Sequence, residues 1–205
     1  MEFGVFNSFW DGQPNHLPFL NLNESKDDPK EWNLQQSTSK LYSILKSNTD
    51  SVIDEGIKQL IESENWRPQL VAAISILSFD LERRSKFCGM LWDRLSMGSW
   101  VSPQILVVLS IIDSDFKKKA ENIIDEGFTV NYSNLSSIDH HVSRGGTNSK
   151  VASEKVIAAI TYLLNGTLIE SMKSDGGASI AKGWVENLTV LIQSGRIKVP
   201  DGARL

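Results

Sequence analysis

Apolar residues along most of this chain recur every three or four positions, the period of a helix with one buried face. From Thr38 to Ser47, Leu41, Ile44 and Leu45 share such a face. Val52, Ile53, Ile57, Leu60 and Ile61 make the next stripe, with Thr49 or Asp50 placed to cap it. Leu70–Leu77 is apolar nearly all round, which predicts a helix buried on more than one side. Asp80 is expected to cap one amphipathic helix running through Phe87, Leu91, Trp92 and Leu95. Ile105–Ile112 is a second all-round apolar segment, and Asp113-Ser114-Asp115 caps the next helix. Glu154–Leu164 returns to the same pattern, residues 167–173 suggest a short helix, and Ser179–Ser194 predicts the last one. In that last helix Ile180, Trp184, Leu188, Leu191 and Ile192 face inward, and Gly195 ends it. No stretch alternates with period two over the length of a strand.

Two of these segments are copies. Pro68–Leu77 aligns without a gap to Pro103–Ile112, 35 residues later. Four of the ten positions are identical and the other six are apolar in both, so the match lies in the pattern and not in a coincidence of composition. A tryptophan precedes each copy, Trp66 and Trp100. Each motif reads as punctuation: a tryptophan packed at a turn, a proline in the first turn where its missing N–H is not needed, and a glutamine on the exposed side. Ile53-Asp54-Glu55-Gly56 recurs as Ile124-Asp125-Glu126-Gly127, which predicts a third cycle starting near residue 124. An Asn-, Ser- and Gly-rich insertion at 128–150 interrupts it.

Helix pairs repeating at about 35–40 residues, neither able to bury its stripe alone, resemble the HEAT-like α-solenoid proteins. The resemblance covers residues 49–126 well and 150–195 loosely. It implies an all-α fold: a short right-handed superhelical stack of antiparallel helix pairs, about seven to nine helices. The division expected is an irregular N-terminal arm, 1–36, and a single helical-repeat domain, 37–205.

The arm is distinct in composition. Five of the seventeen aromatic residues fall in the first twenty: Phe3, Phe6, Phe9, Trp10 and Phe19. So many rings imply that it packs on the body, the alternative being that it folds on a partner. Charge separates it too. Residues 1–33 hold six acids and two lysines, which carries the whole net charge of −4 and leaves the body neutral. A neutral body lacks the basic surface of a nucleic-acid binder. No apolar run is long enough to span a bilayer and the start has no signal-peptide pattern, so a cytoplasmic protein is expected. The single cysteine, Cys88, rules out an intrachain disulfide and reads as a half-buried structural thiol.

Candidate chemistry is sparse. Asp139-His140-His141 resembles the metal-binding Asp-His-His motif of a phosphoesterase family, and carboxylate with imidazole suits manganese or zinc. That family sets its motif at the end of a buried strand, whereas Asn131–Ser137 here is polar loop. Arg144-Gly145-Gly146 lacks the spacing of a phosphate-binding loop. Arg67, Arg83, Arg84 and Arg94 stand near helix ends, where they would line one edge open to charged partners.

The expectation is therefore a non-enzymatic protein-binding module without a cofactor or bound metal. Its partner is another protein, with no nucleic acid and no membrane involved. The partner-binding candidates are Arg67, Arg94, Asp139, His140, His141 and Arg144. The HEAT-like resemblance extends, by analogy of fold, to immunity proteins that neutralise a cognate bacterial toxin. The alternatives are an adaptor subunit of a larger complex and a metal-dependent hydrolase built on Asp139, His140 and His141.

Overall fold

The computed structural model describes residues 3–11, 16–24, 33–129, 149–169 and 171–200. The fold is all-α, with nine α-helices among the described residues. They are α1 (Leu34–Ser47), α2 (Asp50–Glu62), α3 (Trp66–Leu77), α4 (Leu81–Ser85), α5 (Cys88–Met97), α6 (Ser102–Ile112), α7 (Phe116–Glu126), α8 (Glu154–Asn165) and α9 (Gly177–Gln193). Side-chain caps open four of the nine described helices. The side chains of Asn33, Asn65, Asp80 and Ser153 each accept a backbone N–H from the first turn of the helix they precede. Gly166, in the left-handed region, ends α8.

The two all-round apolar segments become the interior. Every residue from Pro68 to Leu77 is buried, as is Ser102–Leu109. α6 packs against α3, α5, α8 and α9, so no side of it is left to solvent over Ile105–Leu109. α2 packs on α3 and on α5, and α8 pairs with α9. The α8–α9 approach depends on Gly177, where an added Cβ would lie 2.1 Å from the Lys155 carbonyl oxygen.

The described part of the arm is built into this core. A 3₁₀ helix at Gly4–Phe9 sits on α2, and a single turn at Leu17–Phe19 sits between α1 and α3. Phe6, Phe9 and Phe19 are fully buried. The Phe6 ring lies so close to α2 that a Cβ on Gly56 would come within 2.8 Å of it. The Leu20 carbonyl accepts from Gln104 Nε2 at 3.2 Å and from Trp184 Nε1 at 3.1 Å, which ties the arm to α6 and α9 at once.

Three sequence expectations are corrected here. The helix expected from Asp80 through Leu95 is two helices: Lys86 and Phe87 close α4 with bonds to Arg83 and Arg84, and Phe87 turns inward against Phe79, ring centroids 6.0 Å apart. The short helix at 167–173 is absent from the described residues. Ser171 and Ser174 instead exchange backbone and hydroxyl hydrogen bonds, the competition that makes serine a turn former. The echo at 124–127 opens no third cycle, because it is the end of α7. Gly56 is needed for a ring contact in mid-helix, whereas Gly127 is needed for its φ of +80°. A two-residue antiparallel pairing, Phe128–Thr129 with Ser149–Lys150, brackets the insertion. No helix among the described residues is long and apolar enough to cross a membrane.

Candidate interaction surface

The N-terminal ends of α3 and α6 lie together, held by a buried polar network. Gln69, only 1 % exposed, donates from Nε2 to the Ser63 carbonyl at 2.7 Å and accepts from the Ser99 hydroxyl at Oε1. Arg94 donates to the same Ser63 carbonyl at 3.3 Å and to the Gly98 carbonyl at 2.7 Å. Ser99 in turn accepts from Val101 N, and its carbonyl accepts from the Ser102 hydroxyl. Four chain ends, those closing α2 and α5 and those opening α3 and α6, are thereby fixed in one arrangement. Buried networks of this kind hold geometry because an unmade bond there is costly.

This fixed edge carries the tryptophans. Trp66 is half-buried, and the Arg67 guanidinium lies over its ring, 4.7 Å from the centroid. Trp100 is 80 % exposed. The reason lies in one residue. Trp66 stands two positions before Pro68, but Trp100 stands three before Pro103. The extra residue sets Val101 in the register of Trp66, where it is buried, and pushes Trp100 out of the helix to a place before its cap.

Beside Trp66, the arm and α3 border a cavity of about 520 Å³ lined by Phe3, Asn7, Trp10, Asp11, Asn65 and Pro68. Trp10 stacks on His16, centroids 5.8 Å apart and planes within 12°. His16 is buried and its Nδ1 has no partner among the described residues. Burial, and secondarily the charge of Arg67, lowers its pKa to about 4, so the ring is neutral near pH 7. Asp11, Glu62 and Glu64 are exposed, and Arg67 is half-buried.

The arginines expected along one edge part company. Arg67 is on it. Arg94 is corrected to the interior: it is 6 % exposed, its guanidinium bonds carbonyls, and burial pulls its pKa down from the usual arginine value while Glu64 opposes. Arg84 is also buried, against the Pro200 carbonyl. Arg83 pairs with Asp50 and Asp54 and lies 3.9 Å over Phe79, binding α4 to α2. Asp139, His140, His141 and Arg144 lie outside the described residues. Among the described residues no three His, Cys, Asp or Glu side chains are grouped to hold a metal ion.

Two further expectations are reversed. The glutamines of the repeat, Gln69 and Gln104, are buried hydrogen-bonding residues and not exposed ones. Trp100 is not packed. The sequence carried a signal for the second reversal, the unequal Trp-to-Pro spacing. It carried none for the first, since Gln104 is bonded 84 residues away and Gln69, besides its bond to Ser63, 30 residues away. Cys88 is buried, its thiol facing the carbonyls of Arg84 and Ile112, with burial and then Asp113 raising its pKa to about 11. That thiol is suited to packing and not to nucleophilic attack.

No family model, no curated protein and no solved structure matches this chain.

Proposed function

We propose that this protein is a non-enzymatic protein-binding module of the HEAT-like helical-repeat kind, and that within this class it acts as an immunity protein that neutralises a basic bacterial toxin. The observation that carries the reading is Trp100, an almost fully exposed indole on an edge whose backbone is held by a buried network. Leaving such a ring in water forgoes roughly 1.5–3 kcal/mol of burial. Tryptophan at the centre of a rigid surface is the residue type that most often dominates binding energy. Asp11 in the arm and Glu62 and Glu64 at the end of α2 are exposed acids, a charge that favours encounter with a basic partner. The toxin class itself rests on analogy of fold.

Affinity capture of the tagged full chain from its native host tests the reading. The expected result is one basic protein at stoichiometric yield, lost with Trp100→Asp, toxic when expressed alone and harmless beside this chain. Capture that yields no stoichiometric protein, or one whose binding ignores every substitution on this edge, overturns it.

A second reading, an adaptor joining two partners, has one observation in its favour. Leu168, Ile169 and Met172 are exposed between α8 and α9, a second apolar surface. An adaptor would lose one partner on Trp100→Asp and another on Met172→Asp.

A further inference from the structure

The side chains around the cavity beside Trp66 use only half of their hydrogen-bonding capacity. Asn7 Oδ1 accepts from Phe3 N at 2.6 Å, and Asn65 Oδ1 accepts from Arg67 N at 3.0 Å as the cap of α3. Each amide is therefore held by its oxygen, and neither Nδ2 has a partner among the described residues. Trp10 packs against Phe3, Phe9 and His16, at 4.7, 6.1 and 5.8 Å between ring centroids, and its Nε1–H is likewise unpaired among the described residues. The exposed Asp11 carboxylate makes no ion pair and accepts no hydrogen bond among them. Phe3 and Pro68 supply the apolar part of the lining. The backbone under these groups is fixed. Asn65 N donates to Ser63 Oγ at 3.2 Å, and the Ser63 carbonyl takes Gln69 and Arg94. The donors are thus set before a guest arrives, which lowers the cost of ordering them.

These groups restrict what fits. Two carboxamide N–H2 groups and an indole N–H call for several acceptors on the guest, and Asp11 calls for a donor. Asp11 is the one charged residue among the described lining residues, and Arg67 is turned onto the Trp66 ring, so an anion is disfavoured. A flat aromatic guest needs an open ring face, and Trp10 already carries three rings. Hydroxyls on a saturated ring meet the remaining demands, since each one both accepts and donates, while the ring C–H groups lie on Phe3 and Pro68. The cavity, about 520 Å³, is of the size that takes small ligands. We propose that it binds a neutral polyhydroxylated ring, a pyranose sugar. Asn7 and Asn65 donate to the sugar oxygens through Nδ2 and Trp10 through Nε1–H, and Asp11 accepts from a hydroxyl. This site goes beyond the protein-binding reading and uses other residues, since that reading is carried by Trp100.

The test titrates the full chain with cellobiose, lactose and N,N′-diacetylchitobiose. Glucuronic acid serves as the anionic control, cyclohexanol as the ring without a set of hydroxyls, and triglycine amide as the peptide-like control. Binding is followed by the indole N–H resonances in heteronuclear NMR, with the Trp10 signal assigned through Trp10→Phe. At least one neutral disaccharide is expected to shift the Trp10 resonance, with cyclohexanol and triglycine amide silent and glucuronic acid weaker. Asn7→Asp and Asn65→Asp each keep the oxygen that the chain's own bond uses and lose the N–H2 donors. Both are expected to keep the parent melting temperature and to weaken the best disaccharide roughly fivefold. Three silent disaccharides, a response to triglycine amide alone, or an unchanged affinity in both asparagine variants overturns the proposal. Trp100→Asp separates the two ideas. It is expected to abolish capture of the protein partner and to leave the sugar titration as it was, and a sugar response lost with Trp100→Asp would place the site elsewhere and end this one.

Discussion

The Ser99 hydroxyl donates to the Gln69 side-chain carbonyl, joining the turn before α6 to the first turn of α3 across a separation of 30 residues. Gln69 is one of only four residue identities kept between the two repeat copies in the aligned segment. Its amide satisfies two turns at once, with Ser63 on the other side. Gln69→Ala is expected to destabilise the protein by about 1–3 kcal/mol, the cost of leaving a buried carbonyl and a hydroxyl short of partners. Urea unfolding monitored by far-ultraviolet circular dichroism measures this. A loss under ~0.5 kcal/mol would show that Arg94 alone holds the turn.

The tryptophans should separate by burial. Trp184 is 1 % exposed and its indole N–H is bonded to the arm, so Trp184→Ala is expected to cost about 3–5 kcal/mol. Trp66→Ala, half-buried under Arg67, should cost about 1–3 kcal/mol. Trp100→Ala should fall within ~0.5 kcal/mol of the parent. Thermal or urea denaturation of the three variants orders them. If Trp100→Ala matched Trp184→Ala, the exposed placement of that ring would be wrong.

Two glycines test close approaches. Alanine in mid-helix normally gains about 0.5–1 kcal/mol over glycine. At Gly56 the new Cβ meets the Phe6 ring at 2.8 Å, which can shift, so a net loss of about 1–2 kcal/mol is expected. At Gly177 it meets the Lys155 backbone oxygen at 2.1 Å, which cannot move without parting α8 from α9. Gly177→Ala should be the more harmful of the two, by melting temperature. Combining Gly56→Ala with Phe6→Leu should recover part of the Gly56→Ala loss, since the obstruction there is one ring.

His16 gives a pH dependence of defined sign. Its folded pKa, about 4, lies below the unfolded value of 6.5, so folding favours the neutral ring. The contribution is fully present above pH 6.5 and is lost as pH falls toward 4. The expected decline is about 1–3 kcal/mol over that window. His16→Phe, which keeps a ring against Trp10, should flatten the decline between pH 6.5 and 5, where few carboxylates titrate. An unchanged slope in denaturation curves at those pH values would place the effect elsewhere.

What could be read directly from the residues was whatever depends on near neighbours. The apolar period marked the helices, and the all-round apolar runs of Leu70–Leu77 and Ile105–Ile112 marked the two that are buried, because a helix without a polar face has nowhere else to go. The Asp80 cap was legible for the same reason, since it acts within three residues, whereas Thr49 and Asp115 precede their helices without the side-chain cap bond expected of them. The tertiary structure alone decided which polar residues are inside. Gln104 and Trp184 converge on the Leu20 carbonyl from α6 and α9, and Arg94 reaches back to Ser63. Each of these contacts joins residues at least 31 positions apart, so no local pattern encodes it. The exposure of Trp100 lies between the two, because its signal is in the sequence and its direction is set by the packing of Val101. One extra residue before Pro103 turned Val101 inward and Trp100 outward, and a helix end transmits a one-residue change as a rotation of about 100°.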